Sequence, residues 1–310
     1  MKQNIRWLAL GLLPFALMIA AFQLVPLLLM VTGSLREKGQ SGITFIQYVT
    51  IFKSSYYLQA IKNSILISVY STLAGIIIGL ISAYSVTRFA PAIRDRLLMV
   101  SNMTSNFSGI PLAFAYIILL GNNGIFTLLF QQWGWSVFED FNLYSWTGLA
   151  LVYVYFQVPL SLLLLYPSFY GIRDQWKEAA SLLGASPWQF WRTIGLPVLA
   201  PSIFGTMGIL FANSMGAYAT AYALVGGNYN LLATRISSLI AGDVVNQPEL
   251  GSALAVVLAL TTFLAVFLNS RMAKRTEAFS SARAERPLRK RKPGSPRTLF
   301  WKNTKGEAGS

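Results

Sequence analysis

Residues 171–203 read GIRDQWKEAASLLGASPWQFWRTIGLPVLAPSI, and they stand apart from the apolar stretches on either side. From Asp174 to Leu183 the apolar positions Trp176, Ala179, Ala180, Leu182 and Leu183 alternate with charges at helical spacing, and Asp174 stands where a helix start wants an acceptor. Gly184 is the natural stop, because the left-handed conformation that ends many helices is nearly free only for glycine. Ser186 and Pro187 then read as an N-cap and a first-turn proline, which open a second short helix through Trp188, Phe190, Trp191 and Arg192. The segment is expected to be a helix–turn–helix elbow lying on a membrane face.

Outward from this elbow the chain is 54% apolar and only 12% charged over 310 residues, too greasy for an ordinary soluble domain. A membrane helix needs about 20 mostly apolar residues. Six segments qualify: Trp7–Thr32, Ser64–Thr87, Leu97–Leu120, Trp146–Phe169, Ile203–Val225 and Gly251–Leu268. Lys2 and Arg6 precede the first, but its apolar run exceeds the roughly 7–15 residues of a signal-peptide core, so it is expected to remain as an anchor. The third carries Asn102, Thr104, Ser105, Asn106 and Ser108 in one half, a density tolerated only toward protein or water. The expected fold is an all-α membrane protein, with a six-span domain over residues 1–270 and a basic tail over 271–310.

Orientation follows from Lys and Arg in the short loops. Segments 1–6, 88–96 and 171–197 carry eight of them, whereas the longer opposite segments 33–62, 121–143 and 226–250 carry five. Both termini are therefore expected to be cytoplasmic. The other twelve basic residues lie from Arg271 onward, in a stretch rich in charge, Pro, Gly and Ser that is expected to be largely disordered. That tail reads as a positive-inside anchor or as a docking arm for anionic lipid headgroups; no stacking platform or folded basic module points to nucleic acid.

Glu178-Ala179-Ala180, then Gly184 after three residues, then Ile194, Leu196 and Pro197 after nine more, resembles the EAA loop of binding-protein-dependent ABC importer permeases. The resemblance covers residues of about 60–270, and Phe169-Tyr170-Gly171-Ile172 is similar to permeases of spermidine/putrescine, iron(III) and phosphonate importers. It implies a type I importer permease in the bacterial inner membrane that moves a small solute inward by alternating access. The implied partners are an ABC ATPase subunit dimer, a second permease subunit that is either a related chain or another copy, an extracytoplasmic substrate-binding protein, and membrane lipid. Glu178, Ala179, Ala180, Gly184, Ser186, Pro187, Leu196 and Pro197 would form the loop that couples to the ATPase. By their own chemistry, Ala179 and Ala180 are either helix formers or small residues that let a partner approach, and Glu178 is either a solvated acid or paired with Arg173 or Lys177.

What is missing narrows the chemistry. There is no His and no Cys, which removes thiolate and imidazole metal ligation and every Ser-His or Cys-His nucleophile arrangement. No Gly-Lys pair occurs, so no phosphate-cradling loop is present, and ATP with Mg would be bound by the partner ATPase, with no cofactor on this chain. The chain is expected to be a transport subunit and not an enzyme. No charged residue lies deep in an assigned span, which disfavours the alternative of an ion-coupled secondary transporter or channel subunit.

In the family the solute crosses where two permease subunits meet, along the third to fifth spans. The candidate lining is Asn102, Thr104, Ser105 and Asn106, with Gln157, and Asn213, Ser214, Tyr218 and Thr220; Asn213, Gly216 and Thr220 share a face at i, i+3 and i+7 if their helix is continuous. Each polar residue reads equally as interhelical glue, worth about 0.6–2 kcal/mol. The outer segments Gly121–Leu143, with Trp133 and Trp135, and Gly226–Leu250, with Asp243 and Glu249, are the expected docking surface for the binding protein, although such tryptophans also suit a membrane interface.

Overall fold

The computed structural model describes residues 12–37, 42–134, 141–242 and 246–284, with side chains up to residue 276. Among the described residues all regular structure is helical. Helix α1 spans Leu12–Ser34. It is followed by α2 (Ile46–Lys53), α3 (Ser55–Val86), α4 (Pro91–Asn106), α5 (Ile110–Leu120), α6 (Ile125–Gln132), α7 (Trp146–Leu165), α8 (Asp174–Leu182), α9 (Pro187–Phe190), α10 (Leu196–Met215), α11 (Tyr218–Val225), α12 (Leu232–Ala241) and α13 (Pro248–Ala284). Six stretches are long and apolar enough to cross a membrane: Leu12–Ser34, Ser55–Val86, Ile110–Gln132, Trp146–Gly171, Pro187–Met215 and Pro248–Thr276.

The distribution of polarity is inverted relative to a water-soluble bundle. Ser64, Ser68, Ser71, Thr72, Gln157, Ser161, Thr206 and Ser214 are buried, whereas Phe22, Ile77, Ile81, Ile118, Phe263 and Leu264 stand exposed on the helices. Lipid is the solvent in which that arrangement is stable. At the centre α3 lies against α7 and α10. Its buried face is a row of small residues, including Ser64, Ser68, Thr72, Gly75, Gly79 and Ala83. A Cβ on Gly75 would stand 2.9 Å from the Gln157 Cβ, so the two backbones are closer than larger side chains permit.

The expected third span, Leu97–Leu120, is not one helix. It breaks at Phe107–Gly109: Phe107 (φ −84°, ψ 85°) centres an inverse γ-turn closed by the Ser108 amide donating to Asn106 O at 3.1 Å, and Gly109 takes φ 76°. Pro111 explains why the helix cannot run on, since it lacks the amide and its ring would meet the carbonyl four residues back. The expected fifth span, Ile203–Val225, is also broken. Ala217 (φ −75°, ψ 54°) centres a second inverse γ-turn, with the Tyr218 amide donating to Gly216 O at 2.7 Å. The i, i+3, i+7 face expected for Asn213, Gly216 and Thr220 therefore does not exist as a helical face. That span starts earlier than expected, because α9 continues through a π-turn at Trp191–Gly195 into α10.

The tail expectation also changes. Helix α13 continues past Leu268 to Ala284, so residues 271–284 are helical and not disordered. Extending a formed helix needs no new nucleus, and Arg271, Met272, Ala273, Lys274 and Arg275 are all good helix formers. Residues 1–11, which hold the expected start of the first span at Trp7, and 285–310 of the tail lie outside the described residues, as do Trp135 and Asp243.

Helix α3 ties the two ends of the bundle to different loops. At its start Asn63 donates to Asn230 O at 3.0 Å and Ser64 Oγ accepts the Leu232 amide at 2.8 Å. Near its end Tyr84 packs edge-on to Trp191 with ring centroids 5.1 Å apart. The elbow at 171–195 and the segment 226–241 thus sit at opposite ends of the molecule.

Candidate functional site

The elbow is built from two caps that its sequence specifies. Gly184 has φ 79°; its amide donates to Ser181 O at 2.9 Å, and the Ala185 amide donates to Ala180 O at 2.9 Å, a complete Schellman closure of α8. Two residues later Ser186 Oγ accepts the Gln189 amide at 3.2 Å while Gln189 Oε1 accepts the Ser186 amide at 2.8 Å, with Pro187 in the first turn of α9. Asp174 does not cap α8. It begins the helix, and its carboxylate takes Lys177 Nζ at 2.9 Å, a hydrogen bond and charge that hold its pKa below the usual carboxylate value. Lys177 is thereby engaged with Asp174 and not with Glu178, which is exposed.

The elbow's packing is lopsided. Ala180 and Phe190 are buried in the cluster that includes Val86, Phe169 and Ile172, which seats the elbow on the bundle. Ala179 faces outward, and Leu182 and Leu183, two of the apolar positions at helical spacing, are 89% and 87% exposed. Together with Trp188, 69% exposed, they leave an apolar surface on the elbow that no other described residue covers. Apolar area of that kind on a membrane protein's wet end is the mark of a partner surface. Leu196 and Pro197 open α10, Leu196 half-exposed and Pro197 at the first turn.

The second site is a cavity of about 680 Å³ at the two helix breaks. Asn102, Ser105, Asn106, Ser108 and Gly109 line one wall, Asn213, Gly216, Ala217, Tyr218 and Thr220 another, with Phe156, Leu160, Leu163 and Leu164 of α7 between them. No charged side chain is among them. The Gly109 amide donates to Thr220 Oγ1 at 2.9 Å, joining the two breaks. Asn106 and Ser105 both donate to Asn102 O, at 2.8 and 2.9 Å, and Tyr218 OH accepts from Ser237 Oγ at 2.8 Å. Of the residues singled out from sequence, Thr104, Gln157 and Ser214 do not reach this cavity. Thr104 donates to Val100 O, Gln157 Nε2 to Leu210 O at 2.7 Å, and Ser214 pairs with Ser71 at 2.9 Å, the latter two fully buried between helices. Ser108 and the four α7 residues were not anticipated as lining. The first is polar beside a glycine, a readable turn signal; the α7 residues carry no local signal at all.

Residues 75–278 match the model of the family described as binding-protein-dependent transport system inner membrane component. The chain belongs to that family. It is 26% identical over 266 residues to the spermidine/putrescine transport system permease protein PotC homolog of Mycoplasma genitalium, covering 82% of this chain and 89% of that one. It is 27% identical over 226 residues to the sulfate transport system permease protein CysW of Escherichia coli strain K12, covering 71% and 74%. Its fold resembles a chain of the bacterial alginate ABC transporter solved in complex with an alginate pentasaccharide-bound periplasmic protein, with a TM-score of 0.71 and 18% identity over 88% of this chain and 96% of that chain. The chain is thus an ABC importer permease of the binding-protein-dependent type, a multi-pass transport subunit.

Proposed function

We propose that this permease sits in the bacterial inner membrane with both termini cytoplasmic. In this reading an ATPase subunit dimer docks on the elbow, and the solute moves inward past the cavity by alternating access. The observation that carries the reading is the elbow's uncovered Leu182, Leu183 and Trp188 beside two fully capped helix ends: a rigid, apolar surface rooted directly in α10. A push on α9 passes through the π-turn into α10 and reaches Asn213 and the Gly216–Ala217 break without an intervening flexible loop. ATP with Mg belongs to the ATPase, and this chain binds no cofactor.

The cavity is half of a pathway that a second permease subunit, related or identical, completes. Its uncharged lining supports a solute selected by an extracytoplasmic binding protein docking at the opposite end, beside the 226–241 segment and Glu249. The solute is small, in the range of a polyamine, a phosphonate or iron(III). The test is reconstitution: the purified chain should hydrolyse no ATP and should transport only when combined with an ATPase partner and binding protein. ATP turnover by the chain alone, or solute flux driven by an ion gradient without the ATPase, overturns the proposal.

A further inference from the structure

We infer that a buried polar seam between α3 and the pair α7 and α10 is a conformational device: the hydrogen bonds it leaves unmade favour a second position of the two cavity-lining helices. Three buried oxygens, Ser68 Oγ and Thr72 Oγ1 on α3 and Gln157 Oε1 on α7, find no hydrogen-bond partner among the described residues. The three residues are at most 3% exposed. Buried polar groups are almost always bonded, because an unmet one has given up water and gained nothing. The groups around them are engaged. Ser71 Oγ pairs with Ser214 Oγ at 2.9 Å, Ser161 Oγ donates to Gly75 O at 2.6 Å, and Gln157 Nε2 donates to Leu210 O at 2.7 Å. A backbone carbonyl only accepts, so that last bond fixes which end of the Gln157 amide is left over. What remains is complementary: two hydroxyls able to donate and one carboxamide oxygen that only accepts.

Thr72 and Gly75 are neighbours one turn apart on the buried face of α3, and a Cβ on Gly75 would stand 2.9 Å from Gln157 Cβ, which puts Thr72 and Gln157 within about a turn of each other. The seam and the cavity are two faces of the same two helices. On α7 Phe156 lines the cavity and Gln157 the seam; on α10 Asn213 lines the cavity and Ser214 the seam. A displacement of α7 and α10 against α3 therefore reshapes cavity and seam together. The face of α3 presented there, Ser68, Thr72, Gly75 and Gly79, has no large side chain to interlock, and small sliding of packed helices between discrete arrangements is the motion such a contact allows. A slide that brings the Thr72 hydroxyl to Gln157 Oε1 makes the bond that is missing here. That the second position is an access state of the transporter rests on the permease reading above; the bias itself does not.

The experiment uses the full chain in lipid nanodiscs, with spin labels on cysteines at Ile81 of α3 and Leu151 of α7, which are 62% and 41% exposed. Thr72→Val replaces the unmet hydroxyl by a methyl group. It should raise the unfolding temperature by about 2–4 °C and reduce a two-component distribution of label-to-label distances to one component. Thr72→Ser keeps a hydroxyl and should retain both components. Ser71→Ala breaks a bond that is made, and should unfold at a lower temperature than the wild type. An unfolding temperature that falls or stays level in Thr72→Val overturns the proposal, because the hydroxyl then has a partner already, a buried water included. So does a rise in both Thr72→Val and Ser71→Ala, or a distance distribution that Thr72→Val leaves unchanged. None of these readouts involves ATP or transport, so failure here leaves the permease reading standing.

Discussion

The Gly109 amide donates to Thr220 Oγ1 at 2.9 Å, and this one bond ties together the breaks of two discontinuous helices. Each break is an inverse γ-turn, at Phe107 and at Ala217, and each leaves a helix end facing the cavity. Thr220, singled out from sequence as a lining residue, is buried, and its hydroxyl serves the backbone. Irregular backbone at membrane depth is tolerated where it lines a cavity and finds partners, and both conditions hold here.

Thr220→Val keeps the shape and removes the acceptor. It should cost about 1 kcal/mol locally and loosen the two breaks relative to each other. Expression and helix content should stay near wild type while reconstituted transport falls, and Thr220→Ser should restore it. Equal transport by the Val and wild-type chains would show that the clamp is dispensable.

Gly79 faces Ser161 so closely that a Cβ there would stand 1.8 Å from Ser161 Oγ, which itself donates to Gly75 O at 2.6 Å. Gly79→Ala should therefore destabilise the α3–α7 contact by about 1–3 kcal/mol, the range for overpacking. Ser161→Gly in the same chain removes the obstructing atoms. The double variant should be more stable than the sum of the two single losses, read as thermal unfolding in detergent. Strict additivity would mean that the helices shift apart instead.

How legible these features were depended on how far their causes reach. The Schellman closure at Gly184 and the capping box at Ser186 and Gln189 were readable because each is satisfied within six residues. The breaks were readable only in part: Ser108-Gly109 and Pro111 interrupt the third span and Gly216 marks a weak point in the fifth, but nothing local dictates a γ-turn at Phe107 or Ala217, and the bond across 111 residues from Gly109 to Thr220 supports both. The i, i+3, i+7 reading of Asn213, Gly216 and Thr220 assumed an unbroken helix, yet these residues share the cavity because the break folds them around it. The exposure of Leu182 and Leu183 was not legible for another reason: periodicity marks an apolar face but does not tell whether this chain buries it. The small face of α3 was present as Gly75-x3-Gly79 and passed unread inside a strongly apolar span.

At Gly184 the strain is purely in the backbone, because a side chain there would meet nothing within 4 Å at φ 79°. The cost of a non-glycine residue should be about 1–3 kcal/mol and rise from Asn through Ala to Val. Co-purification of an ATPase partner should weaken in that order, or hydrolysis should uncouple from transport, with the spans intact. A Val variant with normal coupling would contradict the role given to this turn.

Ser186 and Asn228 are both exposed and lie at opposite ends of the bundle. A cysteine at Ser186 should react with an impermeant thiol reagent only from the cytoplasmic side, and one at Asn228 only from outside. The chain has no cysteine of its own to confuse the assay. Reversed labelling would invert the proposed orientation, and labelling of both from one side would break the bundle's topology.

Lining and glue are separable in α10 and α11. Asn213 is exposed on the cavity wall, and Tyr218 lines it while its hydroxyl is held by Ser237, whereas Ser214 and Gln157 are buried against Ser71 and Leu210. Cysteines at Asn213 and Tyr218 should be modified by a small thiol reagent, with rates that change when nucleotide switches the access side in the assembled transporter. Asn213 should react faster, since the Ser237 contact marks Tyr218 as the more enclosed position. Cysteines at Ser214 and Gln157 should stay silent in both states. Replacement by Ala divides the same way: Asn213→Ala should lower transport with assembly intact. Gln157→Ala leaves the Leu210 carbonyl without its donor and a void beside Gly75, and should lower assembly at similar activity per complex. If Asn213 and Tyr218 cysteines are unreactive with and without ATP while the buried pair is labelled, the solute takes a different route.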